Sequence, residues 1–161
     1  MPRRRRFFRR SKTLLKELGF GFVSNLSTSA AGSWTETTLF QETINETGTL
    51  VGLRIMLNVI GKGLASGNVW YGRFILMVLD PGESIPSITS DDDLEKYKSK
   101  VWMLSALSVG TSGSHNVVLA PDTKRKVQRN QVLVLKAVYA TSDDAGAAYC
   151  SGNYQYWIQV A

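Results

Sequence analysis

Residues 49–60 alternate well. Thr49, Val51, Leu53, Ile55, Leu57 and Val59 fall on one side, and Gly52, Arg54 and Asn58 on the other. A period of two over that length predicts a half-buried strand. Residues 69–79 are apolar on both sides, with Trp70, Phe74, Leu76 and Val78 opposed to Tyr71, Ile75, Met77 and Leu79. This predicts a central strand covered on both faces, by core or by a neighbouring subunit. Residues 131–141 and 149–160 give two more strong strands. Weaker ones are expected at 34–44, 101–109, 116–120 and 123–129, the last two parted by Pro121. Turn residues stand between them. In Asp80-Pro81-Gly82-Glu83 the proline and glycine occupy the positions a type II turn requires. One helical start is visible, Ser90-Asp91-Asp92-Asp93-Leu94-Glu95, with Ser90 placed to cap and the acids at the positive end. Eight strands and one turn of helix predict an all-β chain: an eight-stranded antiparallel jelly-roll sandwich.

The first 33 residues differ. Leu14, Leu15 and Leu18 fit one helical turn ended by Gly19, and the Gly, Ser, Thr and Ala residues up to Ser33 read as a linker. The chain thus divides into a basic N-terminal arm and linker at 1–33 and a β-body at 34–161.

Charge sharpens that division. The first sixteen residues hold six arginines and two lysines and no acid, a formal +8. The whole chain carries 19 basic and 13 acidic residues, or +6, so residues 17–161 carry 11 against 13, or −2. A block of like charge cannot be buried unpaired. It repels itself and is expected to stay disordered or extended until a polyanion neutralises it. Arginine meets phosphate with a planar, two-pronged donor set. Arg3, Arg4, Arg5, Arg6, Arg9, Arg10, Lys12 and Lys16 are therefore candidate nucleic-acid contacts. Phe7 and Phe8 can stack on unpaired bases, although aromatic rings in a basic run also suit a membrane surface. The same arginines fit a nuclear-import address. A second basic cluster, Lys124, Arg125, Lys126 and Arg129, lies on the expected strand 123–129. Alternation sets Lys124, Lys126 and Gln128 on one face and Arg125, Val127 and Arg129 on the other. Charge on both faces predicts an edge strand.

Enzyme chemistry finds no foothold. There is no phosphate-cradling glycine loop, no nucleophile elbow and no metal-ligand spacing, and one histidine, His115, cannot build a zinc site. Neither cofactor nor metal is expected. Asp91, Asp92, Asp93 and Glu95 could hold a hard cation with help from a neighbouring subunit, but they match no EF-hand loop and read better as a helix start. Cys150, the sole cysteine, has no disulfide partner within the chain and reads as a small residue half-buried in a strand. The longest unbroken apolar run, 74–79, is far short of a membrane span, and no membrane partner is expected.

The arginine-rich start Pro2-Arg3-Arg4-Arg5-Arg6, the Ser/Thr linker, and the stretches Glu46-Thr47-Gly48-Thr49-Leu50-Val51-Gly52-Leu53, 122–135 and Tyr154-Gln155-Tyr156-Trp157-Ile158-Gln159-Val160 together resemble the capsid proteins of small circular, Rep-encoding single-stranded DNA viruses (circovirus-like). This resemblance implies a single jelly roll that serves as the shell domain, self-assembly into a T=1 icosahedral shell, and an arm turned inward onto a single-stranded genome, DNA by resemblance alone. About sixty copies with eight arm charges each would set on the order of 480 charges against the phosphates of the genome. It also implies a virion location, passage through the host nucleus and contact with host import machinery. Trp34, Trp70, Trp102 and Trp157 are expected in the core or at subunit contacts. The alternative is a non-assembling single-stranded nucleic-acid-binding β-barrel module with a basic tail; a secreted sandwich that binds cells or sugars is a third reading.

Overall fold

The computed structural model describes residues 12–28, 30–111, 113–142 and 146–160, with side chains from Ser24 onward. The described chain forms β1 (Lys12–Ser27), β2 (Thr35–Thr43), β3 (Gly48–Lys62), β4 (Val69–Leu79), helix α1 (Asp91–Lys96), β5 (Val101–Gly110), β6 (Ser114–Leu119), β7 (Arg125–Val127), β8 (Val132–Thr141) and β9 (Ala147–Val160). Two antiparallel sheets result, ordered β1-β9-β3-β6 and β2-β8-β4-β5, with the short β7 also paired to β3. The pairing is nested: β1 with β9, β2 with β8, β3 with β6, β4 with β5. A long hairpin rolled on itself gives this order, which is that of a jelly roll. A closed small barrel does not describe it, because among the described residues no strand ladder joins the two sheets.

All eight expected strands form, but β1 precedes them. The helical turn expected at Leu14–Leu18 and the linker expected from Gly19 are replaced by a sixteen-residue strand. Its first seven residues pair with β9 from Val160 back to Tyr154, and pairing resumes at Phe22–Gly152 after an irregularity spanning Gly19 and Gly21. Three leucines at helical spacing cannot sustain an isolated helix, whereas the open edge of β9 offers a ladder for the whole segment. The strand expected over 123–129 shrinks to three residues.

A bulge between Leu50 and Gly52 resets the alternation in β3. Leu50 is therefore buried and Val51 only partly so, while Leu53, Ile55, Leu57 and Val59 face the core as their spacing predicts. Between the sheets these residues meet Trp70, Phe74, Leu76, Val78, Leu133, Leu135, Tyr139, Tyr156 and Ile158. Trp70 lies at the centre, 5.7 Å from the Tyr139 ring.

The second apolar face of β4 is covered by the chain itself. Ile75, Met77 and Leu79 pack with Val134, Val138 and Ile88, beneath Ile85, Leu94 and Tyr97 of the β4–β5 connection. That connection begins in the expected turn, with Gly82 at φ +78° and the Glu83 N–H donating to the Asp80 carbonyl at 3.0 Å. It continues into α1, capped as expected by the Ser90 hydroxyl, which accepts from the Asp93 N–H. A partly buried ion pair ties it to the sheet. Lys136, 2% exposed, donates to Glu36 at 2.7 Å and to the Pro86 carbonyl, and Glu36 also accepts from the Ile88 N–H at 2.7 Å.

Candidate nucleic-acid interface

Arg3, Arg4, Arg5, Arg6, Phe7, Phe8, Arg9 and Arg10 lie outside the described residues. Lys12 and Lys16 are in β1, paired through the backbone with Val160 and Tyr156. The register fixes where the basic segment joins the body. Lys12 pairs with Val160, Val160 with Gly48, and Gly48 with Val127, so one row crosses β1, β9, β3 and β7. Three inter-strand steps, about 14 Å, separate the start of β1 from the second basic cluster.

The members of that cluster diverge. β7 is at an edge, as two-sided charge predicts. Lys126 pairs with Thr49 in a row with Gln159, on the face turned away from the core, and is exposed. Lys124 and Arg129 are exposed as well. Arg125 is half-buried and donates to the Ser99 carbonyl at 3.2 Å. Burial lowers its pKa, and the Asp80 carboxylate opposes that shift. It holds the end of the β4–β5 connection, next to a Lys100 that is paired with Asp80 and Glu83. Three of the four residues thus face solvent and one is a structural tie.

The outward face of the β1-β9-β3-β6 sheet adds residues that sequence spacing did not single out for binding. Arg54, Met56, Asn58, Ile60 and Lys62 of β3 share it with Tyr149, Asn153, Gln155 and Trp157 of β9 and Asn116 and Val118 of β6. Asn58 donates to Asn116 at 2.9 Å and to Ser114 at 3.2 Å. Lys62 donates to the Tyr149 hydroxyl at 3.0 Å, with its ammonium 4.6 Å from the ring centroid. Cations, amides and aromatic rings are the groups that meet phosphates and unpaired bases. β3, β6, β7 and β9 contain no Asp or Glu. Acids collect instead over the other sheet. Residues 80–100 hold six of the thirteen, against three lysines, a local −3.

The acidic cluster there is engaged in structure. Asp93 accepts from the Ser90 hydroxyl at 2.9 Å and the Thr89 N–H at 3.1 Å, which hold its carboxyl below the ordinary range. Asp91 pairs with Arg73. Cys150 is fully buried rather than half-buried, and burial pushes its thiol up to about 12. It shares a row with Val59 and His115, but strand β3 lies between it and the exposed histidine.

No family model and no curated protein matches this chain. Solved structures do. One is infectious bursal disease virus, Gx strain, at 14% identity and a TM-score of 0.43, covering 93% of this chain, which spans only 32% of the viral one. Another is the Triatoma virus empty capsid, at 15% and 0.42, covering 89% of this chain and 87% of that one. A third is the semi-empty virus-like particle of the giant freshwater prawn Macrobrachium rosenbergii nodavirus, at 10% and 0.40, covering 94% and 97%. Likenesses this distant carry no functional argument.

Proposed function

We propose that this chain is a coat subunit without enzymatic activity, which assembles with copies of itself into a closed icosahedral shell and packages single-stranded nucleic acid. The jelly roll narrows the class without choosing within it, since viral shells, lectins and cupins all use it. The observation that carries the reading is the placement of charge. A segment with six arginines precedes the edge strand β1, which adds Lys12, Lys16 and Glu17, in a sheet whose other strands β3, β6, β7 and β9 hold no carboxylate, while acids gather over the opposite sheet. Such a subunit presents a cationic side to a polyanion and a weakly acidic side to the exterior. Arg3, Arg4, Arg5, Arg6, Arg9, Arg10, Lys12 and Lys16 would neutralise phosphates, with Phe7 and Phe8 stacking on bases. Lys124, Lys126, Arg129, Arg54 and Lys62 would extend the surface onto the body. Because β1 belongs to the sheet, we draw the boundary between arm and shell body within the first dozen residues and not at 33.

A genome of single-stranded DNA, about sixty copies per shell and assembly in the host nucleus complete the proposal. They rest on the resemblance of the arginine-rich start and the 46–53, 122–135 and 154–160 stretches to circovirus-like capsid proteins.

Deleting residues 2–11 tests the reading. Retained nucleic acid should fall to background, and the steep loss of affinity with salt should flatten, because the released counterions belong to the arm. Undiminished encapsidation by the truncated chain would contradict it.

A further inference from the structure

The two sides of the sandwich are protected unequally. On one side stands the edge strand β2, which carries Glu36 and Glu42; on the other stand the edge strands β5 and β6. Exposed sheet edges are ordinarily blunted by charge or proline, because their unpaired N–H and C=O groups accept any further strand. Residues 101–119, which span β5 and β6, contain no Asp, Glu, Lys, Arg or Pro. β5 is ten residues long, and among the described residues its one ladder partner is β4. Its outward face carries Leu104, Ala106 and Ser108, all exposed, with Leu104 at 45%. Beside Leu104 lies a shallow hollow lined by Leu94, Val101, Glu95 and Lys98. An uncharged centre with a charged rim is the anatomy of a protein–protein contact.

We propose that β5 is a subunit contact, at which the edge of one copy pairs antiparallel with β5 of a second copy about a two-fold axis. The occupant follows from chemistry. An open ladder is satisfied by another strand, and an uncharged face holds nothing for phosphates. Self-pairing of β5 sets no like charges opposite each other in any register. Self-pairing of β2 about Leu39 would set Glu36 against Glu42, a destabilising juxtaposition. A two-fold contact of this kind is self-complementary and is compatible with a closed symmetric shell. The inference rests on the coat-subunit reading and names one of its contacts.

The test uses the full chain, nuclease-treated in high salt so that nucleic acid cannot bridge subunits. Leu104→Lys and Ser108→Lys should each move sedimentation from the assembled boundary to that of single or smaller species, while the urea midpoint stays within the range of Thr38→Lys, a control on β2 that should leave assembly intact. In the wild type, hydrogen exchange over residues 104–109 should slow at least tenfold on assembly, with little change over residues 35–43. Assembly of both lysine variants at wild-type size, or exchange at 104–109 that ignores assembly, would overturn the β5 contact and leave the coat reading standing. A wild-type chain that remains a monomer throughout would overturn both.

Discussion

Gly72 is a glycine because of Trp70. A Cβ built on Gly72 would lie 2.3 Å from Trp70 Cη2, and that ring is fully buried against Tyr139 and Phe74. The ring has nowhere to go, so Gly72→Ala should cost about 1–3 kcal/mol as an overpacked core, read as a lowered urea midpoint with an unchanged slope. Cys150 offers a second test at this scale. With its thiol pushed up to about 12, it stays protonated at pH 8. It should resist a thiol-specific reagent in the native protein and react fully in denaturant. Rapid native labelling would mean that this part of β9 is not buried as described. For catalysis this buried thiol is inert.

The Lys136–Glu36 pair ties the β4–β5 connection to its sheet beside the apolar contacts of Ile85, Ile88, Leu94 and Tyr97. Burial pushes the Glu36 carboxyl up, but hydrogen bonds from the Ile88 N–H, Lys136 and Ser87 outweigh it and leave the group below its ordinary 4.5. A carboxyl lowered on folding contributes stability that is fully present above its unfolded pKa and is lost as pH falls through the folded one. Acid destabilisation should therefore begin below about pH 4.5 and be shallower in Glu36→Ala. That variant should also lose about 3 kcal/mol at neutral pH, because it strands a buried ammonium; Lys136→Met should lose less. Equal costs for the two, or an unchanged acid limb, would contradict the pinning role.

The elements also show what could be read in advance. Alternation locates β3, a two-sided apolar run locates β4, and Ser90 with three acids locates α1, because in each case local chemistry and tertiary need agree. β1 was missed because its leucines fit a helical turn and its glycines a linker; only the open edge of β9, more than a hundred residues away, makes it a strand. Alternation puts Val51 with Leu53 and Ile55, and the structure does not, because a bulge beside a glycine leaves no signature in polarity. That Arg54 and Lys62 join Lys126 on one cationic face is not legible in the sequence: charges on separate strands become a surface only once the register between strands is known.

At the scale of the molecule, the division of charge unites the account. The body is near neutral in sum and polarised in space, with carboxylate-free strands on one side and a −3 connection over the other. Nucleic acid should therefore bind to one face. Arg54→Glu with Lys126→Glu should weaken binding of single-stranded oligonucleotide severalfold at low salt, beyond the effect of the arm, and leave the unfolding free energy within about 0.5 kcal/mol of wild type, since both side chains are exposed. Binding that ignores these reversals would confine the interface to the arm.

The most direct measurement is electron microscopy of the purified chain, residues 1–161, after nuclease treatment, with the protected contents extracted. The account predicts closed shells of uniform size containing single-stranded nucleic acid. A protein that stays monomeric across salt and pH, or shells of this chain that are always empty, would contradict it.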